Sequence, residues 1–300
     1  MEETRMTTVL LTLIVIVNLF FVLSFVKDLT KHKNDIMSEP ASTLALPFTS
    51  FFTFLLSTFG VSDFAIGTVL YRKLKWVPLK KLPGTLNAQC VIPVAAMALL
   101  YITSIDVGLK TLAVCIISQV IGAYVGPRFV VKLPEKTIKQ FISIGLTVAA
   151  VLILAGKFNV IPSNGTATEL YGLKLVTAGV LLFAYGALNN IGIGSYALTM
   201  ATVYALGMNP AVAFPIMMGA ATFSVPIGSM QFVKFGQYSR KITLFTSTFG
   251  VLGVLTAVYF VKSLNTGMLQ WLVIVILLYT AVSMVLELRK SKMNLANEIN

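Results

Sequence analysis

The chain has 300 residues, of which 57% are hydrophobic and only 11% charged, with a mean hydropathy of +0.87. A soluble domain carries roughly 25% charged residues, so this composition excludes one and predicts an all-α polytopic membrane protein. The net charge of +12 does not point to nucleic acid, because the basic residues lie in short clusters between apolar runs, as in cytoplasmic loops, and not on one face.

The first apolar segment runs from Thr7 to Val26. Its leader, Met1-Glu2-Glu3-Thr4-Arg5, is not basic overall, and no small-x-small cleavage site follows, so the segment reads as a retained transmembrane helix and not as a secretory signal. A polar connector, Lys27 to Pro40, carries Lys27, Lys31, His32 and Lys33. The lone His32 reads as a solvated loop residue, since a site needs convergent partners. Apolar runs follow at 44–58, 62–75, 82–103, 109–131 and 138–156, then a polar loop from Lys157 to Glu169. Five more runs succeed it, at 171–190, 194–207, 211–232, 242–262 and 268–288, before a charged tail. The organisation expected is therefore an N-terminal helix and connector (1–43), two transmembrane repeats (44–170 and 171–288) and a cytoplasmic tail (289–300).

Two of these runs are broken in the same way. Leu188-Asn189-Asn190-Ile191-Gly192-Ile193-Gly194-Ser195-Tyr196 interrupts the second half, and Ser57-Thr58-Phe59-Gly60-Val61-Ser62-Asp63-Phe64 interrupts the first. With Gly60 laid on Gly192, Ala65 falls on Ala197, Pro78 on Pro210 and Pro83 on Pro215; one inserted residue lays Pro93 on Pro226. Charge inverts between the halves. In the first, Arg72, Lys73, Lys75, Lys80 and Lys81 fill the connector after the broken pair, whereas its counterpart, Ala205 to Pro210, has no charge and the basic residues move to Lys234, Arg240 and Lys241. Inverted topology predicts that exchange, and it places the N-terminus outside and the C-terminus in the cytoplasm, in the cell membrane. The runs 44–58 and 62–75 each rise about 21 Å, where the hydrocarbon needs about 30 Å. Each pair therefore reads as a hairpin of half-helices; two tilted full spans give the same sidedness and stay open.

Backbone broken in hydrocarbon needs partners, and helix starts offer unpaired amides with partial positive charge. The candidate anion-binding residues are Ser57, Gly60, Ser62, Asp63, Asn87 and Gln89 from the first half, and Asn189, Asn190, Gly192, Gly194 and Ser195 from the second. Ser62 or Asp63 would cap one half-helix, and Gly194 or Ser195 the other. Asn87 and Gln89 are second-rank contacts beside the first break. Gln119, Thr222 and Ser224 read first as interhelical hydrogen-bond partners, and Cys90 and Cys115 as core residues. Asp63, the acid placed deepest, is either a cap or a proton carrier, because burial and the helix start pull its ionisation in opposite directions. No catalytic constellation, metal set or cofactor motif is present in the sequence.

These pieces resemble the sulfite exporter TauE/SafE family of membrane permeases. The matching residues are Ile191-Gly192-Ile193-Gly194 at the break, Asn209-Pro210-Ala211-Val212-Ala213 at the next helix start and Phe249-Gly250-Val251-Leu252-Gly253 beyond it. In the first half they are Phe59-Gly60-Val61, Leu82-Pro83-Gly84-Thr85-Leu86 and the stretch from Gln119 to Gly126. The resemblance covers about residues 44 to 288 and implies two inverted halves that move sulfite, sulfoacetate or other sulfur-containing anions without an organic cofactor. The chain departs from it in reading Gly-Val-Ser-Asp and Gly-Ile-Gly-Ser where the family has runs of consecutive glycines. The expectation is an exporter working by alternating access, with proton coupling through Asp63. An anion channel, a cation transporter, a carrier of an unrelated small solute and an intramembrane enzyme are the rivals. The partners expected are the lipid bilayer and a small anionic substrate, and the oligomeric state stays open, a homodimer included.

Overall fold

The computed structural model describes residues 2–58, 62–101, 107–134, 165–190, 195–209 and 212–260, with isolated positions between 136 and 155. These residues form helices and turns: α1 (Glu2–Lys31), α2 (Leu46–Thr58), α3 (Asp63–Lys73), a 3-10 turn at Leu79–Lys81, α4 (Leu82–Tyr101), α5 (Leu109–Val130), α6 (Gly172–Asn189), α7 (Tyr196–Ala205), α8 (Ala213–Phe235), α9 (Arg240–Phe245) and α10 (Val251–Phe260). A π-helical turn, Thr246–Gly250, joins α9 to α10. The helix bounds follow the apolar runs of the sequence closely, while the runs at 138–156 and 268–288 fall largely or wholly outside the described residues.

Length and composition sort the helices. Five stretches are long and apolar enough to cross a membrane: Thr8–Lys31, Leu79–Leu99, Leu109–Val130, Gly172–Asn189 and Pro215–Phe235. α4 and α8 are mostly buried and pack on each other at the centre, while α1, α5 and α6 turn apolar side chains such as Leu19, Ile117 and Val180 outward. α2, α3 and α7, of 13, 11 and 10 residues, rise about 20 Å or less, short of the hydrocarbon thickness. Pro93 and Pro226 lie inside α4 and α8, and both helices continue through them because neighbouring helices surround the freed carbonyls.

The connectors gather at two ends. At one, Asp28 of α1 accepts from Arg240 Nε (2.7 Å) and Tyr238 Oη (2.5 Å), Glu39 accepts from the Arg240 and Lys241 amides and the Ser239 hydroxyl, and Ser239 N donates to Thr85 Oγ1 (2.9 Å). His32, expected to be solvated, is instead half-buried against Asp28, its Nδ1 lying 3.2 Å from Oδ1, because α1 extends five residues past the apolar run and carries the polar connector into this cluster. This end holds Lys27, Lys31, Lys80, Lys81, Lys234 and Arg240. At the other, Gly108 N donates to Thr168 O (3.1 Å), Asn209 N to Ala167 O (2.8 Å) and Leu170 N to Thr111 Oγ1 (2.8 Å). Lys174 Nζ, in the first turn of α6, reaches Leu206 O just past α7 (3.0 Å), so the pair α6 and α7 starts and finishes at this second, cation-poor end.

Glycines set the closest helix contacts. A Cβ at Gly122 of α5 would stand 2.0 Å from Phe183 O and 3.0 Å from Ala187 N of α6; one at Gly253 of α10 would stand 2.2 Å from Phe51 O and 3.0 Å from Leu55 N of α2. The α6 partners follow the α2 partners by 132 positions, the same spacing that lays Gly60 on Gly192. Small residues of this kind let backbones meet where lipid supplies no hydrophobic drive between helices.

Candidate functional site

Neither broken segment runs through as one helix. α2 ends at Thr58, whose hydroxyl donates to Phe54 O (2.7 Å), and α3 restarts at Asp63 with Ser62 as its N-cap, Ser62 Oγ accepting from Ala65 N at 3.3 Å. The cap is thus Ser62, and Asp63 occupies the first helical position, where a carboxylate still faces the positive end of the helix. α6 ends at Asn189, and α7 takes its first backbone bond from Thr199 N to Ser195 O (2.9 Å). Gly60, Gly192 and Gly194 lie outside the described residues.

The first break is an acidic pocket. Asp63 is 5% exposed; Ser57 Oγ donates weakly to its Oδ1 at 3.5 Å, and Oδ2 has no hydrogen-bond partner. Among the described residues no Lys or Arg pairs with it. Gln89 of α4 is fully buried; its Oε1 accepts from Tyr71 Oη of α3, and its Nε2 is unpartnered. Gly67 leaves room for that amide, since a Cβ there would stand 3.1 Å from Nε2. Tyr71 escaped the sequence reading because an aromatic in an apolar run is ordinarily core.

The second break is lined by neutral amides and hydroxyls. Gln119 Nε2 of α5 donates to Ser224 Oγ of α8 (3.0 Å) and to Ser195 Oγ (3.4 Å). Gln119 is therefore the interhelical partner expected and also a contact of the break itself. Asn190 Nδ2 donates to Gly186 O (2.8 Å) and Ala123 O (3.2 Å). Asn87, expected beside the first break, reaches the second instead. Its Nδ2 donates to Asn189 O (3.0 Å) and Pro83 O (2.9 Å), and its Oδ1 accepts from Asn189 Nδ2 (2.9 Å). One turn along α4, Cys90 Sγ donates to Asn87 O (3.2 Å), so a single stretch of α4 touches the end of α6 through Asn87 and holds Gln89 beside α3.

The Asn87–Asn189 clasp engages Asn87 Nδ2, Asn87 Oδ1 and Asn189 Nδ2, and loss of either partner strands buried polar atoms on the other. Asn87→Ala and Asn189→Ala should each lower stability by about 1–2 kcal/mol, and the double variant should cost well below their sum. Unfolding of the purified protein in detergent measures this, and strict additivity would mean that the clasp does not hold.

No metal-binding group of His, Cys, Asp and Glu occurs among the described residues. What the arrangement offers is hydrogen bonds and partial charges at two helix breaks, suited to a small polar solute that must be bound and released.

Neither the curated proteins nor the solved structures contain a match to this chain. The family model described as Sulfite exporter TauE/SafE matches residues 3–153 and 175–299, nearly the whole chain. The chain therefore belongs to the sulfite exporter TauE/SafE family, a family of membrane transporters for sulfite and related sulfur-containing anions.

Proposed function

We propose that this protein is a secondary transporter, acting as an exporter of small sulfur-containing anions such as sulfite or sulfoacetate, and that it works by alternating access around a midplane site formed by two inverted repeats. The reading rests on one observation above the rest: a single stretch of α4 bonds to the end of α6 through the Asn87–Asn189 clasp and to α3 of the other broken pair through Gln89 and Tyr71. The contacts of Gly122 and Gly253, displaced by a common 132 positions, support the duplication. The return of α7 to the start of α6 at Lys174 supports a hairpin that enters from one side and leaves by the same side. The basic end, with Lys80, Lys81, Lys234 and Arg240, is the cytoplasmic one by the charge bias of membrane loops.

In this scheme the positive ends of α3 and α7 replace water around the anion. Ser57, Ser62, Asp63 and Gln89 line the first half of the site, and Asn189, Asn190 and Ser195 the second, with Gly60, Gly192 and Gly194 letting the backbone approach. Asn87 holds the two halves in register. Asp63 exchanges a proton as the anion enters or leaves, since an unpaired carboxylate is costly at this depth. Rocking of one half against the other then exposes the site alternately.

Proteoliposomes loaded with radiolabelled sulfite test the reading. Efflux should saturate with internal sulfite and fall when sulfoacetate is added on the same side. Efflux that rises linearly without saturating would support a channel, and none above protein-free vesicles would remove sulfite transport altogether.

A further inference from the structure

Asn190 is 1% exposed, and its orientation admits no flip, because both partners of its amide nitrogen are backbone carbonyls, Gly186 O and Ala123 O, which only accept. Its Oδ1 is consequently a fixed acceptor, and it has no partner. The side chain lies in a slot between two glycines: a Cβ at Gly126 would stand 2.7 Å from Nδ2, and one at Gly228 would stand 2.6 Å from Oδ1. One turn back from Ala123 on α5 and from Gly228 on α8, Gln119 and Ser224 form the next polar layer, with Gln119 bonded to Ser195 at the start of α7. Gln119 differs from Asn190 in kind. Its partners are hydroxyls, which donate or accept, so its amide can present either N–H or C=O to a ligand. Among the described residues this layer has no cationic side chain.

An anion lodged in the second break, between the end of α6 and the start of α7, would meet donors from the helix start and a fixed acceptor from Asn190. A bare dianion would gain nothing from that acceptor and would lack a counter-charge for its second charge. A singly charged anion with its own N–H or O–H satisfies both. We propose that, among the anions this site accepts, it prefers a monoanion bearing a hydrogen-bond donor, such as hydrogen sulfite or an amino- or hydroxy-substituted sulfonate, and that Asn190 Oδ1 selects it, leaving the donorless dianion sulfoacetate the poorer substrate. The proposal rests on the reading of the breaks as the anion site and adds the charge state and the donor that the site requires.

Sulfamate and methanesulfonate make the test. Both are monoanions of similar shape across the accessible pH range, and they differ by an amino group in place of a methyl group. Their binding to the purified full-length protein is measured by calorimetry, with sulfite near neutral pH and sulfate as reference probes. The wild-type protein should bind sulfamate about 10-fold more tightly than methanesulfonate, and sulfate more weakly than either. The ratio should fall to about 1 in Asn190→Ala, and likewise in Gly228→Ala, whose methyl group covers the oxygen without removing the amide. Equal binding of the two sulfonates by the wild type, or an undiminished ratio in Asn190→Ala, would overturn the selection while leaving the anion site standing. Failure of sulfite and both sulfonates to bind at all would overturn the anion-site reading itself, and the selection with it.

Discussion

In vesicles with an imposed pH gradient, Asp63→Asn should still move sulfite but should no longer respond to the gradient. A carrier that moves one proton with each anion accumulates substrate up to about tenfold per unit of pH difference, so the wild type and the variant should diverge by that factor at steady state. The physical basis is the pocket at the first break. Asp63 is buried, its Oδ2 is unpartnered, and Ser57 reaches Oδ1 only at 3.5 Å. A carboxylate left this bare is held when ionised by the α3 start and by weak contacts from Ser57 and Cys90, so an arriving anion raises the cost of its charge and a proton removes it. Asparagine keeps the shape and a polar head while abolishing the titration. Flux and pH response both at wild-type levels in Asp63→Asn would exclude this residue as the coupling group.

The sequence carried the helices and the breaks more fully than the contacts between them. Apolar runs longer than a dozen residues reveal membrane helices because lipid tolerates little else, and a polar, glycine-containing gap at the same depth stands out against that background, so α2, α3, α6 and α7 were legible within two residues or so at most ends. Side-chain partners were not. Asn87 and Gln89 sit two positions apart on α4, yet one bonds to α6 and the other to α3, a division set by the rotation of α4 among its neighbours and invisible in one dimension. Gln119 was weighed as an interhelical partner and lies at the second break as well, for the same reason. The π-helical turn between α9 and α10 carried a faint signal. Thr246 and Thr248 donate back to Ile242 O, Thr243 O, Leu244 O and Phe245 O, and hydroxyls of this kind supply bonds to carbonyls where the regular ladder loosens. α1 ran on through Lys27 to Lys31 because Lys27, Leu29 and Lys31 are good helix formers and because Asp28 finds Arg240 and Tyr238, a partnership more than two hundred residues away in sequence.

Gly122→Ala and Gly253→Ala should be among the most disruptive single-methyl changes in the protein, and should be so to a similar degree. At each, the added carbon would lie little more than 2 Å from a carbonyl oxygen of the facing helix, a separation that rotation of a side chain cannot relieve because the obstacle is backbone. The helices must part instead, and parting α5 from α6 also pulls Asn190 from Ala123 O, while parting α10 from α2 loosens Gly250 from Phe54 and Pro93. Overpacking of this kind costs about 3 kcal/mol or more, enough to lower the melting temperature by several degrees and to reduce the yield of folded protein in detergent. Gly179→Ala is the internal control. It lies on α6 in the same interface as Gly122, but its Cβ would meet only Ser118 Oγ and Val114 Cγ1, both at 3.2 Å, and these side chains can yield. Thermal unfolding of the three variants should place the first two together and well below the third. If Gly122→Ala proved severe and Gly253→Ala harmless, the two interfaces would not be equivalent, and the duplication on which alternating access depends would lose its strongest packing argument.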